Sequence, residues 1–323
     1  MKRYKIILKR HGPWISPPTA DTWFGHFCWA YKYLLGENEL VNLLNAFMNG
    51  TLPWKISDAF PKDFLPMPVL PLNNVDFGDQ TKDFKKQQFI HEDVLKSMSV
   101  FSYNNLWNMC ELKNNISSKN QEREINFGFA PKDYDYRKSV KVDFAHNTIN
   151  RFSESTMDEG GFFHTVVDWA PEMSGLQIFV DIEDSHFDNF KKAFEYIENS
   201  GFGKDKSTGS GSFSIDSWNE IDIPEDLGNS YLALSTFVPS EKDSTAAYYN
   251  TVVKYGKLGG DWAMPFSEVK HPYKKPLIMF KAGAVFREKP VGTMIKNIHS
   301  DDRIVQYALA FPYPINLNEE NIP

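Results

Sequence analysis

Gly201-Phe-Gly-Lys-Asp-Lys-Ser-Thr-Gly-Ser-Gly-Ser-Phe213 sets four glycines among two lysines and a run of hydroxyl side chains. Glycine lets the backbone approach a ligand closely and lets successive N–H groups face one anion. Ser207, Thr208, Ser210 and Ser212 add donors, and Lys204 and Lys206 add charge. Such a surface suits a polynucleotide backbone, where contacts to phosphate and sugar fix position. Two mononucleotide readings fail on the same residues. A phosphate-binding loop needs Gly-Lys-Ser/Thr opening a helix, but Gly209 is followed by Ser210 and then a strand. A dinucleotide fingerprint needs a strand before the glycines and a helix after them, and the order here is reversed.

Outward from the loop, Ser185-His-Phe-Asp188 opens a helix with capping-box-like spacing, and Phe187, Phe190, Phe194 and Ile197 share one face of it. Gly201 ends that helix, and Phe213-Ser-Ile215 begins a strand. Upstream, 162–167 and 176–182 read as strands. At the start of the chain Tyr4, Ile6 and Leu8 alternate with Lys5, Ile7 and Lys9, the period of a strand with one face on a core. After the turn-rich His11-Gly-Pro-Trp14, a helix capped by Thr19 or Asp21 carries Trp23, Phe27, Ala30, Tyr31 and Leu34 inward, with Gly36 at its end. A second helix spans about 39–49. The order strand, helix, strand, strand, helix, strand predicts an α+β protein with a ferredoxin-like first domain. That domain covers 1–218, with an insertion at about 51–145 that is rich in proline and polar runs and builds no core of its own. Residues 219–323 turn mostly β, with strands at 231–238, 252–258, 277–287 and 303–311, and predict a second, degenerate ferredoxin-like domain.

The chain has 323 residues with a net charge of −7, and its pI is about 5.7. This balance excludes coating nucleic acid by bulk charge, so any such contact is local. Two cysteines, Cys28 and Cys110, exclude a disulfide framework and fit a reducing cytoplasm. The basic start lacks the apolar core of a signal peptide, and no apolar run approaches the ~18 residues of a membrane span. Asp301-Asp302 has no ligand-spaced partner and reads as a solvated turn, so neither metal nor cofactor is expected.

Three further segments narrow the reading: Asp21-Thr-Trp-Phe-Gly-His-Phe-Cys-Trp-Ala30 in the first helix, His146-Asn-Thr-Ile-Asn-Arg151 followed by Gly160-Gly-Phe-Phe163, and the pair Lys281-Ala-Gly-Ala-Val-Phe286 and Tyr307-Ala-Leu-Ala-Phe311 near the end. With the glycine loop they resemble, in the right order, the RAMP superfamily of CRISPR proteins. The branch they resemble is the subunit of type III-A (Csm) effector complexes that caps the 5′ end of the guide RNA (crRNA). That resemblance implies two ferredoxin-like domains and binding to the repeat-derived 5′ tag of the crRNA, with no cleavage by the subunit itself. It also implies docking to the large cyclase and DNase subunit, contact with the first backbone RAMP subunit, and a hairpin thumb within the insertion. The sequence departs from relatives in carrying Ser210 and Ser212 where a Lys or Arg often stands. It also carries Ser153-Glu154 in place of a Thr-Gly step.

The candidate RNA-binding residues are Gly203, Lys204, Lys206, Ser207, Thr208, Gly209, Ser210, Gly211 and Phe213 in the loop. His11 and Ser16 follow the first strand, His26 lies on the polar side of the first helix, and His146, Asn147 and Arg151 precede the strand at 162–167. Lys281 and Gly283 repeat the small-plus-basic theme in the second domain. Tyr134-Asp-Tyr-Arg-Lys138 sets aromatics beside cations, a mix that stacks on bases or simply forms a hairpin. His26 also invites a second reading, a metal-independent endoribonuclease that processes precursor crRNA with a histidine as acid or base. No partner base or cation for the leaving oxygen accompanies it. A third reading is a protein-interaction module without RNA contact.

Overall fold

The computed structural model describes residues 1–72, 84–85, 87–109, 128–129, 140–156, 161–169, 175–224, 228–264, 266–269 and 271–323. The segment 134–138 and the turn at 170–174 lie outside them. In chain order the first half comprises β1 (Lys2–Arg10), α1 (Ala20–Leu35), α2 (Glu37–Met48), β2 (Trp54–Ile56), β3 (Phe60–Pro61), β4 (Phe64–Pro66), β5 (Phe89–His91), α3 (Glu92–Ser97) and β6 (Gly128–Phe129). It continues with β7 (Val140–Asn147), β8 (Ile149–Asn150), β9 (Ser155–Thr156), β10 (Phe162–Trp169), β11 (Gly175–Ile182), α4 (Asp184–Ser200) and β12 (Phe213–Glu220).

The central sheet is antiparallel in the order β12–β1–β11–β2, with β3 also paired to β11. Ile6 and Leu8 of β1 and Ile178, Val180 and Ile182 of β11 point to one side, as alternation requires. There they meet Trp23 and Phe27 of α1 and Phe190 and Phe194 of α4. Phe27 stacks on Phe190 at 4.3 Å between ring centroids. The expected helices form nearly where the pattern put them, but their starts differ. Glu183 precedes α4 without a side-chain cap, so the capping box at Ser185 is not used. The Thr19 hydroxyl turns to Asp21 instead of capping α1, and the first α1 amide, Ala20 N–H, donates to Asp58 at 2.7 Å.

Two expectations are corrected. The strand at 162–167 exists as β10, but it pairs with β7 in a separate two-stranded ribbon, not in the sheet. Its place beside β11 is taken by β2 and β3, drawn from the region expected to be an insertion. β2 has three residues and follows Pro53, too short for alternation to announce it. Its apolar residues form no core of their own but share one with the second half of the chain. Phe60, Leu65, Ile90, Val94, Phe101 and Leu106 pack with Leu232, Leu234, Val285, Phe311 and Tyr313 from the second half of the chain.

That second half holds β13 (Ser230–Ala233), β14 (Ala247–Tyr248), β15 (Thr251–Lys254), β16 (Leu277–Phe280), β17 (Val285–Phe286), β18 (Gly292–Ile295), β19 (Gln306–Leu309) and β20 (Pro312–Ile315). One sheet runs β14–β17–β13–β20, and β15–β16 and β18–β19 form two-stranded pairs. Two acidic residues tie the halves together. Asp58, fully buried, accepts from Ala20 N–H on one side and from the Thr236 amide (3.0 Å) and hydroxyl (2.7 Å) on the other. Burial pushes its carboxyl up to about 6 against the pull of those donors. Asp21 in the first turn of α1 receives the Lys254 ammonium and the Gln306 amide, the latter at 2.8 Å. Among the described residues no helix is long and apolar enough to cross a membrane.

Candidate nucleic-acid interface

Helix α4 ends at Gly201 (φ +79°), where Gly201 N–H closes on the Ile197 carbonyl at 2.8 Å. The next residue, Phe202, plunges back into the core. Its ring lies 4.1 Å from Trp23 and is stacked 4.8 Å from Trp14. Phe213 closes the loop from the other side, buried and edge-on to Trp23 at 5.8 Å. The loop is therefore clamped at both ends by one aromatic cluster.

Hydrogen bonds pin it further. Gly211 N–H donates to the Pro13 carbonyl at 2.7 Å, and Phe202 N–H donates to the Gly211 carbonyl at 3.0 Å. The Ser210 hydroxyl donates to Pro13 at 3.0 Å. Gly203 N–H donates to His26 Nε2 at 2.8 Å, and Lys204 N–H to Ser16 Oγ at 2.9 Å. Thr208 and Ser210 amides fold back on the Asp205 carbonyl, and Gly209 N–H on that of Lys206. Glycine at 211 is obligatory: with φ +68°, a Cβ there would sit 1.8 Å from the Phe202 carbonyl oxygen. Gly209 differs, since a Cβ would meet nothing within 4 Å.

The structure thus divides the predicted loop residues in two. Gly203, Ser210, Gly211 and Phe213 build the support, with their amides, hydroxyl or ring turned to the protein. Lys204, Lys206, Thr208 and Gly209 stand exposed at the apex, where a 3-10 turn (Lys206–Thr208) holds them. The Lys204 ammonium lies 3.8 Å from Asp205, and partial burial lowers the pKa of Lys206. The backbone of Ser207 belongs to the same turn. A cradle of successive free amides is not what the chain builds; a pinned apex of cations is, with the Thr208 hydroxyl donating to the Asp205 carbonyl at 2.8 Å.

His26 is corrected in the same way. It does not face solvent as a free polar side chain. Its Nε2 accepts from Gly203, its ring packs 4.9 Å from Phe202, and burial with the nearby Lys206 charge pushes its pKa down to about 3. A neutral imidazole with that nitrogen engaged has no free position for taking a substrate proton. Ser16 likewise serves as acceptor for the loop.

Along β1 the strand end meets the same loop. His11 N–H donates to the Ser212 carbonyl at 3.0 Å, and its Nε2 lies 2.7 Å from Ser214 Oγ. Arg10 is buried and points the other way, donating to the Asp168 carbonyl at 2.5 Å with its guanidinium over Trp14. Trp14 and Asp168 exchange backbone hydrogen bonds at 3.0 and 2.7 Å, which roots the β7–β10 ribbon beside the loop. His146 lies on that ribbon, stacked 4.9 Å from its cross-strand partner Phe163. Asn147 donates to Thr156 at 3.0 Å, and Arg151 is exposed in the tip turn beside Phe152. Gly283 is not accessible: it is buried at φ +100°, and a Cβ would meet the Met67 carbonyl at 2.7 Å. Lys281 beside it is exposed, in the second half of the chain. Reading the sequence missed Pro13, Trp14, Phe202 and Asp168, whose roles come from contacts more than 150 residues apart. Among the described residues no group of three His, Cys, Asp or Glu side chains is placed to hold a metal ion.

The chain is similar to known proteins in sequence and in fold. Residues 226–315 match the family of the CRISPR Csm4 C-terminal domain. The "CRISPR system Cms protein Csm4" of Thermococcus onnurineus (strain NA1) is 24% identical over 323 residues, covering 98% of this chain and 96% of that one. A Csm3–Csm4 subcomplex of the type III-A CRISPR-Cas interference complex superposes with a TM-score of 0.62 at 16% identity, over 98% of this chain and 100% of the other. A Csm1–Csm4 cassette in complex with pppApA gives 0.57 at 17%, over 99% and 100%. In sequence the chain is thus similar to the CRISPR protein Csm4, and in fold to the chains of these Csm complexes.

Proposed function

We propose that this chain is the non-catalytic crRNA-binding subunit of a type III-A CRISPR antiviral interference complex in the cytoplasm. It anchors the repeat-derived 5′ tag of the crRNA, docks the large cyclase and DNase subunit, and meets the first backbone RAMP subunit. In this reading residues 1–218 are a ferredoxin-like domain and 219–323 a degenerate second one. The strand order β12–β1–β11–β2 with two helices on one face supports the first assignment.

One observation carries the reading. Lys204, Asp205, Lys206, Thr208 and Gly209 are held exposed by a rigid support, at the end of β1 and beside the root of the ribbon. Preorganised cations grip phosphate without reading sequence, and a small local patch suffices on an acidic protein. His11, His146, Asn147 and Arg151 extend the same surface, and Lys281 is the candidate from the second domain. The endoribonuclease alternative loses its general acid or base, because His26 spends its Nε2 on the loop. Neither cofactor nor metal has a part in the function.

The test is a complex reconstituted with Lys204→Ala/Lys206→Ala, in which nuclease protection of the 5′ tag is mapped. Loss of tag protection with the guide region still covered supports the reading. Unchanged tag protection refutes it.

A further inference from the structure

At the far end of β1 from the loop, the two halves of the chain leave an open cleft of about 850 Å³. β1 has nine residues, so at about 3.4 Å per residue the cleft is on the order of 25 Å from the loop. We infer that this cleft binds a phosphate-bearing ligand of nucleotide size, gripped by Lys55.

The argument begins with pairing. Lys55 on β2 lies opposite Asp181 on β11, the carboxylate a cross-strand lysine ordinarily meets. Arg3 takes both oxygens of Asp181, Nε to Oδ1 at 2.6 Å and a terminal nitrogen to Oδ2 at 2.7 Å. The Arg3 guanidinium is itself fixed over Phe311, 4.9 Å from the ring centre. Among the described residues no hydrogen bond or ion pair reaches the Lys55 ammonium. Burial disfavours its charged form most; Asp181 and Asp243 favour that form without bonding to it, and the charges of Lys289 and Arg3 oppose it, so the net pKa is lowered. A half-buried cation without an acceptor is costly, and an anion entering the cleft removes that cost.

The other walls suit the remainder of such a ligand. Ile221 and Ile223 offer an apolar side, while Glu220 and Asp222 offer acceptors for hydroxyl or amino groups. Those carboxylates also disfavour a highly charged polyanion, so a single phosphate on a nucleoside fits better than a run of them. The volume lies within the several hundred to roughly 1,000 Å³ usual for small-ligand sites. The inference is independent of the loop, and each can fail alone.

The test is calorimetric titration of adenosine 5′-monophosphate into the full chain at low salt. Saturable binding that weakens about tenfold in Lys55→Met, the effect of losing one charged hydrogen bond, supports the site. Lys55→Arg retains binding, which separates the charge from the folding of β2, and Lys204→Met in the loop leaves it unchanged. Displacement by a 5′-phosphorylated trinucleotide, and not by its 5′-hydroxyl form, assigns the phosphate to an RNA end. Displacement by inorganic phosphate but by neither trinucleotide assigns it to a free nucleotide. No binding, equal binding by Lys55→Met, or loss in Lys204→Met overturns the inference.

Discussion

The glycine loop and the β7–β10 ribbon are neighbours rooted on the same residues, yet they are opposites in construction. The loop has its ends sunk in aromatic core, and most of its amides are used within the protein. The ribbon is held at its base by Trp14, Asp168 and Arg10, and then exposes Phe144, Phe162, Phe163, Val166 and Phe152. A pinned loop binds without ordering its own backbone, because that entropy was lost on folding. An exposed apolar ribbon becomes buried only when something else covers it. On the proposed function, the loop is the grip and the ribbon the part that assembly covers.

The largest effect that tests this difference is at Gly211. Gly211→Ala forces a clash with the Phe202 carbonyl and a left-handed conformation, and is expected to cost about 3 kcal/mol or more, read as a lower denaturant midpoint. Gly209→Ala, in open space at φ +91°, is expected to cost about 1 kcal/mol. Equal costs would mean that the loop is not clamped. Asp58→Ala comes next. It leaves the Ala20 and Thr236 donors unsatisfied beneath α1, the helix that presents Trp23 and His26 to the loop, and is expected to cost about 2–3 kcal/mol in chemical denaturation.

His26→Asn is smaller, about 1 kcal/mol, and its signature is the pH profile. His26 in the folded chain binds its proton only near pH 3, against 6.5 when unfolded. The stabilisation it contributes is thus full above pH 6.5 and is lost progressively as pH falls toward 3. Asp58 has the opposite sign, since its raised value lets the folded state gain a proton first between about pH 6 and 3.8. Acidification from pH 6.5 to 4 should therefore destabilise His26→Asn less than the parent chain. It should destabilise Asp58→Asn more. The smallest expected change is in the ribbon: Phe152→Ser should shift the stability of the isolated chain by under about 0.5 kcal/mol, while lowering its retention in the reconstituted complex.

Much of this was legible in the sequence. The alternation of Tyr4, Ile6 and Leu8, the apolar stripes of α1 and α4, and the helix–glycine–strand order are local signals, and they placed the loop correctly. The hidden parts depend on distant partners. β2 is three residues beside a proline, and nothing local says that it pairs with β11 while the better-looking strand at 162–169 does not. The same holds for His26, which reads as a polar helix position until Gly203, 177 residues away in sequence, is brought onto its ring nitrogen. Glycines in the loop signalled close approach, but what approaches Gly211 is the chain itself, at Phe202.

The central claim is that the apex of the loop, and not the ribbon, holds the 5′ tag. A photoreactive side chain placed at Thr208, and separately at Arg151, in complexes assembled on crRNA tests it most directly. The account predicts crosslinks from position 208 to tag nucleotides. Crosslinks to the tag from position 151 alone, with none from 208, would contradict it.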